Sequence, residues 1–392
     1  MEYVKLKAGA LFDGVRFREE NPVLIADSRG VILDLVPESE AGEGVQKYPG
    51  ILAPGFVNAH CHLELSHLKG LIEEKTGLVD FVCSVVATRH FEPEKIREAM
   101  TDAQHQMEAS GIVAVGDICN NLLSQSVKSE GTIRYHNFVE VSGWNPAVAG
   151  MRFDKSREFY ETFKNQGFST SMVPHAPYSV SRELWGKIAP YFSQSVVSIH
   201  NQETPDEDAF FLQGTGSLAN LYEKMGIDNS FFNPPGVSSL PSYFPYFSRA
   251  ASIILVHNTF MGAPDLAYLE QTVEKDQRVS LCVCMRANLY IEDRVPDLDL
   301  LSRSPFNMVV GTDSLSSNYE LDILAELKTI QAHFPQISLE KLLGWATLNG
   351  ARALQMEGGL GSFERGKRPG VVLIENTEEG RLTSRSVSKK IL

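Results

Sequence analysis

Cysteine is scarce in this chain of 392 residues: Cys61, Cys83, Cys119, Cys282 and Cys284 are the full set, and no CxxC pair occurs. A low, odd count argues against a disulfide framework and fits a reducing compartment. Long apolar runs are absent too. No stretch reaches the roughly 18 residues that a membrane span needs, and the opening MEYVKLKAGALFDG lacks the apolar stretch of a signal peptide. Positive charge is in short supply, with Lys plus Arg at 36 against Asp plus Glu at 49, a net charge of −13. That balance disfavours nucleic acid and anionic membrane as partners. Low-complexity segments are missing as well. With 43% hydrophobic and 22% charged residues, the chain has the material for a core, which excludes general disorder. The expectation is a soluble, cytoplasmic protein whose partner is a small molecule.

Two patterns organise the chain. Residues 1–50 alternate apolar and polar over short runs, as in YVKLKAGALF and PVLIADSRGVILDLVP, which predicts a few antiparallel strands. From about Gly359 the chain reads alike, with Val371 to Ile374 as a strand. Residues 1–50 and 359–392 are therefore expected to build one small, β-sandwich-like unit together. Between them lie eight strand-like runs: ILAPGFVNAHCH, GIVAVGDICN, TIRYHNFVEV, TSMVPHAPYS, SVVSIHNQE, SIILVHNTF, RVSLCVCMRAN and NMVVGTDSLSSN. Amphipathic segments such as EKIREAMTDAQHQMEASG and SREFYETFKNQG separate several of them. Strand alternating with helix predicts parallel α/β architecture, and eight units predict a (β/α)₈ TIM barrel over 51–358. A long insertion at about 204–250, with one helical stretch at NLYEKMG, is expected to wall the barrel mouth.

The chemistry-bearing residues end those runs. His60 and His62 are two apart, so on a strand both face one side. Alone, an HxH pair is a weak metal signal. His200, His257 and Asp313 end three later runs, up to about 250 positions away. A single histidine is ordinarily a hydrogen-bonded core residue, and a single aspartate a helix cap. A barrel, however, gathers strand ends at one face. His175 and Glu203 lie in the same kind of place.

The segments PGFVNAHCHLELS, HAPYSVS, HNQET, LVHNTF and GTDSLSSN, with the tail ATLNGARAL…GSFERGKRPG, resemble the amidohydrolase superfamily over nearly the whole chain. They look most like its branch of nucleobase and nucleoside deaminases and chlorohydrolases. GTDSLSSNYELDILAELKTI is weakly similar to aminofutalosine deaminases. The resemblance implies one divalent metal, Zn²⁺ first and Fe²⁺ as the alternative, held by His60, His62, His200 and Asp313. It implies Glu203, His257 and Asp313 as the catalytic groups, with His257 left open between metal ligand and polarising group. Glu203, three residues after His200, would shuttle the proton of the attacking water; a solvated loop acid is the plainer alternative. The lysine that bridges two metals in other members has no counterpart in VPHAPYS or FVEVSG, which favours one metal.

The resemblance implies a hydrolase of carbon–nitrogen bonds other than peptide bonds, with deamination of an aminated heteroaromatic ring as the leading reaction. Opening of a cyclic amide, or removal of chloride or an amine from a triazine-like ring, would use the same site. A non-catalytic metal-binding descendant is the remote alternative, and a homodimer stays open. His175 is expected to contact substrate. Glu64 is open between substrate contact and a loop role. Arg286 is open between an anionic substrate group and a surface ion pair; it stands in CMRAN, where similar enzymes often have Cys-Pro followed by Ser-Asn. Cys282 and Cys284 read as small apolar residues one strand period apart. His90, His105, His136 and His333 show no partners, and most aromatics of the insertion read as packing.

Overall fold

The computed structural model describes residues 3–392. Short strands come first: β1 (Tyr3–Lys7), β2 (Ala10–Leu11), β3 (Val23–Asp27), β4 (Ile32–Val36), β5 (Gln46–Lys47) and β6 (Ile51–Pro54). Eight strands follow at wide spacing: β7 (Phe56–Cys61), β8 (Ile112–Cys119), β9 (Arg134–Val141), β10 (Ser169–Pro174), β11 (Val196–Asn201), β12 (Ser252–His257), β13 (Arg278–Val283) and β14 (Asn307–Val310). The chain closes with β15 (Val371–Glu375) and β16 (Val387–Lys390).

β15 and β16 share a sheet with β6 and β2. β15 lies antiparallel between β6 and β16, and β2 runs parallel to β6. Strands β4, β3, β1 and β5 make a separate sheet, antiparallel except for the β1–β5 contact. Leu6, Leu24, Leu52, Phe363 and Leu373 share one small core between the two sheets. The run ILAPGFVNAHCH is two strands rather than one. It divides at Gly55, leaving β6 with the terminal sheet and β7 with the long parallel set. A side chain at Gly55 would meet Val113 Cγ1 at 2.3 Å and the Pro369 carbonyl at 2.6 Å, so the crossing needs glycine.

All eight internal runs become parallel strands. β7 to β10 form one four-stranded sheet and β11 to β14 another, each in sequence order. The sheets meet at both edges. The His200 N–H donates to the His175 carbonyl at 3.0 Å, and the Thr312 N–H donates to the His60 carbonyl at 3.0 Å, next to a parallel bridge between Cys61 and Asp313. Ile253 to Val256 of β12 are fully buried, as expected for strands covered on both faces. Helices supply the cover. Pro93–Ser110 starts with proline at its first turn, buries Ile96, Met100, Ala103 and Met107 on one stripe, and stops at Gly111 with φ 98°.

The insertion carries more helix than the single stretch expected: Asp206–Gln213, Ser217–Lys224 and Ser239–Tyr243. Its polar loops masked the short flanking helices. Phe210, Phe211 and Tyr222 form a second core with Trp144, Ile72 and Leu78. Phe210 stacks on Phe232 at 4.4 Å between ring centres, and Tyr246 on Trp185 at 4.7 Å. Packing is thus the role of these aromatics. No helix among the described residues is long and apolar enough to cross a membrane.

Candidate metal centre

The strand ends bring the histidines together. His60 lies within β7, and His62 follows its last residue at φ −119°. His200 is the penultimate residue of β11, His257 ends β12, and Asp313 stands three residues beyond β14. His60, His62, His200, Glu203, His257 and Asp313 are all buried. The backbone is locally strained to achieve this, with φ of 74° at His257, 57° at Asp313 and 45° at Gln202.

The Nε2 atoms converge. That of His62 lies 3.1 Å from Nε2 of His60 and 3.2 Å from Nε2 of His200. Asp313 Oδ1 is 3.6 Å from His60 Nε2 and 3.4 Å from His62 Nε2. Tetrahedral ligands at about 2.0–2.1 Å from Zn²⁺ stand roughly 3.3 Å apart, so the spacing fits one ion. The chemistry fits too. Burial pushes the imidazoles of His60, His200 and His257 below their usual pKa, and that of His62 down to about 4. Neutral imidazoles offer lone pairs, and three of them facing one another lack enough protons to satisfy every contact. Burial alone would raise the Asp313 carboxyl, but the imidazoles of His60, His62 and His257 hold it well below the usual carboxylate range. His60, His200, His257 and Asp313 each bring one ligand atom to within 4.8 Å of the others. That set admits His257 and omits His62, yet the two short contacts of His62 Nε2 place it in the cluster as well.

Two of the rings, those of His200 and His257, are oriented by their other nitrogen. His200 Nδ1 donates to the His175 carbonyl at 2.7 Å, and His257 Nδ1 to Asn288 Oδ1 at 2.7 Å. His60 Nδ1 has no partner. The Ser317 hydroxyl donates to Asp313 Oδ2 at 2.5 Å, leaving Oδ1 to the histidines. Glu203 sits beside the cluster, Oε1 3.5 Å from His257 Nε2. Burial, reinforced by the charge of Asp313, raises its pKa well above the usual value. A buried carboxyl that favours its proton, next to a metal-ligand cluster, is equipped to move protons.

The other expected site residues are placed differently. The His175 ring centre lies 4.6 Å from that of His200, and its Nδ1 donates to Glu140 Oε2 at 2.8 Å. Burial opposes charge on this ring, but Glu140 outweighs it and raises the pKa. Glu140 in turn is held at about 2, against burial, by His175. The Glu64 carboxyl, which burial pushes up to about 8, accepts from the Asn120 N–H, the Asn121 amide and the Ser124 hydroxyl at 2.8–3.3 Å. Arg286 pairs with Glu320 at 2.7 Å and lies 5.5 Å from the Tyr319 ring centre. An anionic ligand there would compete with Glu320. Tyr319 also lines a cavity of about 340 Å³ with Ile72, Glu74, Tyr290 and Asn318.

Cys282 and Cys284 are buried free thiols, as their spacing implied. His136 is held by the hydroxyls of Ser169 and Ser171, and His333 by the Thr329 carbonyl. Asn288, Ser317 and Glu140 were missed. They are ordinary polar residues in sequence, and only FVEVSG, ending a strand, carried a signal for Glu140.

Fold and cluster define a class: hydrolases that gather metal ligands at the ends of parallel strands. Residues 51–390 match the Amidohydrolase family, and the chain belongs to it. The chain is 25% identical over 362 residues to an adenosine deaminase of Helicobacter pylori, covering 88% of this chain and 86% of that one. It is 26% identical over 374 residues to a 5-methylthioadenosine/S-adenosylhomocysteine deaminase of Teredinibacter turnerae, covering 89% and 78%. The crystal structure of Helicobacter pylori aminofutalosine deaminase with methylthio-coformycin superposes at a TM-score of 0.81, with 23% identity over 97% of this chain and 93% of that one. The family is one of hydrolases acting on carbon–nitrogen bonds other than peptide bonds, as the sequence implied.

Proposed function

We infer that the chain is a metal-dependent deaminase that hydrolyses an amino group from a heteroaromatic ring, a nucleobase or nucleoside. The convergence of His60, His62 and His200 Nε2 with Asp313 Oδ1, flanked by the buried Glu203, carries this reading. The nucleoside deaminases among its relatives support the substrate class. His60, His62, His200 and Asp313 would hold one divalent cation, Zn²⁺ before Fe²⁺ for this three-nitrogen, one-oxygen set. Such an ion, when bound, supplies an acidified water at neutral pH.

The remaining chemistry falls to the side chains. Glu203, which a cation beside it would keep ionised, carries one proton of the attacking water to a ring nitrogen and then the proton of the added hydroxyl to the departing amino group. Oxygen bonds first to the ring carbon, the bond from that carbon to the protonated amino group then breaks, and the products are the oxo ring and ammonia. Asp313, steadied at Oδ2 by Ser317, orients the water through Oδ1. His257, with its Nδ1 proton on Asn288, turns Nε2 toward the water and Glu203. His175, charged by Glu140, offers Nε2–H to a ring acceptor of the substrate. Arg286 would meet an anionic substituent only by displacing Glu320.

We read β7 to β14 as a closed (β/α)₈ barrel that starts after Gly55, not at residue 51, and the terminal sheets, β1 to β6 with β15 and β16, as one composite unit. The free thiols suit a reducing cytoplasm. The test is ammonia release by metal-loaded protein from aminopurine nucleosides, free bases, aminopyrimidines and aminofutalosine. Ammonia from one member supports deamination. Turnover of cyclic amides or chlorinated rings alone would replace it.

A further inference from the structure

Lys128 and Asp117 form an ion pair at 2.6 Å in which both side chains are fully buried. Lys128 lies on the helix Ser124–Glu130, outside the parallel sheet, and Asp117 on β8. The ammonium also donates to Asn137 Oδ1 at 2.7 Å and touches Cys119 Sγ at 3.1 Å. It stands 5.1 Å from the ring centre of Tyr135 and 5.4 Å from that of Phe163. Asp117 overcomes the effect of burial and keeps this lysine charged. Removing two charges from water is costly, and a buried pair of this kind is weak evidence for stability. Its other contacts show what it serves.

Asp117 Oδ1 accepts the Leu63 N–H at 2.8 Å, the first peptide group after His62. The His62 N–H itself donates to the Asp313 carbonyl at 3.4 Å. His62 leaves β7 between these two hydrogen bonds, one to the far sheet and one to the neighbouring strand. Two residues on, Glu64 holds Asn120, Asn121 and Ser124, the segment that leads into the helix bearing Lys128. A closed circuit results: from the turn after His62 to the loop after β8, on to Lys128, to Asp117, and back to Leu63.

We propose that Lys128 and Asp117 are positioning residues, which fix the exit of the chain after His62 so that its imidazole faces His60 and His200. The inference rests on the metal-site reading above. The pair acts through the Leu63 N–H and needs no contact with the ion. Loss of a group that orients a ligand typically weakens metal affinity 10–100-fold.

The test compares the parent, Asp117→Leu/Lys128→Met and Asp117→Ala/Lys128→Met, with Ile188→Ala as a control for lost stability at a fully buried distant site. Zn²⁺ affinity is measured by chelator competition, the Co²⁺ visible spectrum reports ligand geometry, and Tm is taken without metal. The proposal expects Zn²⁺ affinity to fall at least tenfold in the double variants, with an altered Co²⁺ spectrum, and Ile188→Ala to keep both despite a lower Tm. Should Asp117→Leu/Lys128→Met not fold, Asp117→Ala/Lys128→Met is read by the same criteria. Parent-like affinity and spectrum in the variants, or a loss matched by Ile188→Ala, would overturn it and leave the metal-site reading standing. A parent that binds neither ion would overturn both.

Discussion

Replacing Gly311 with alanine would place a methyl group where three atoms already stand at 2.9 Å: Cys284 Sγ, His60 Cβ and the His60 carbonyl oxygen. Ordinary contact begins at about 3.4 Å, so the neighbours must yield by roughly 0.5 Å. Cys284 Sγ can turn about only one bond in a fully buried position, and the two His60 atoms cannot turn away at all. The His60 carbonyl is fixed by the N–H groups of Thr312 and Asp313, at 3.0 and 3.2 Å. Relief must therefore come from moving β7 or the 311–313 turn, and each carries a cluster residue. Overpacking of this kind costs about 1–3 kcal/mol of stability. Metal sites hold their distances to about 0.2 Å, so a shift of this size is larger than the site tolerates. Gly311→Ala is expected to fold with a lowered Tm and to bind Zn²⁺ at least about tenfold more weakly in a chelator competition. Gly186→Ala, in the helix Arg182–Ile188 with no atom within 4 Å of the new methyl, should instead stabilise by up to about 1 kcal/mol. Parent-like Zn²⁺ affinity in Gly311→Ala would refute the reasoning.

Glu203→Gln should keep the metal, by elemental analysis, and lose about 10²–10⁴-fold in kcat; metal loss would make Glu203 a ligand. Asn288→Leu frees the His257 ring and should lower kcat while metal content holds; loss of the metal as well would assign His257 to the ligand set. Glu140→Gln should raise KM with the metal retained, because His175 loses the carboxylate that charges it; an unchanged KM would remove His175 from substrate binding. Glu207 is fully buried, and burial raises its pKa to about 8. The unfolded chain releases this proton near pH 4.5 and the fold keeps it, so stability from this group falls as pH rises from about 4.5 to 8. The Tm of Glu207→Gln should therefore gain on the parent between pH 5 and pH 8, and a constant difference would contradict the assignment.

Most of the strand framework was legible because parallel strands buried on both faces leave continuous apolar runs, and all eight runs became β7 to β14. Gly55 was not, since only the approach of Val113 and Pro369, distant in sequence, shows why the first run must divide there. The helices of the insertion were hidden by short length and polar flanks. In the site, His60, His62, His200, His257 and Asp313 stood out because ionisable residues ended apolar runs. Asn288, Ser317 and Asp117 gain their roles only from folding, which brings an amide to His257, a hydroxyl to Asp313 and a carboxylate to the peptide after His62. Glu64 and Arg286 could be noticed as charges near motifs, but their partners, the Asn120–Ser124 loop and Glu320, could not be read from spacing.

The most direct test of the account follows ammonia during turnover of adenine nucleosides by the purified protein, before metal removal, after chelation and after reloading with Zn²⁺. Ammonia formed in step with the oxo product from at least one nucleoside, abolished by chelation and restored by one equivalent of Zn²⁺, is the predicted result. A protein that carries one metal and releases no ammonia from any aminated ring would contradict it.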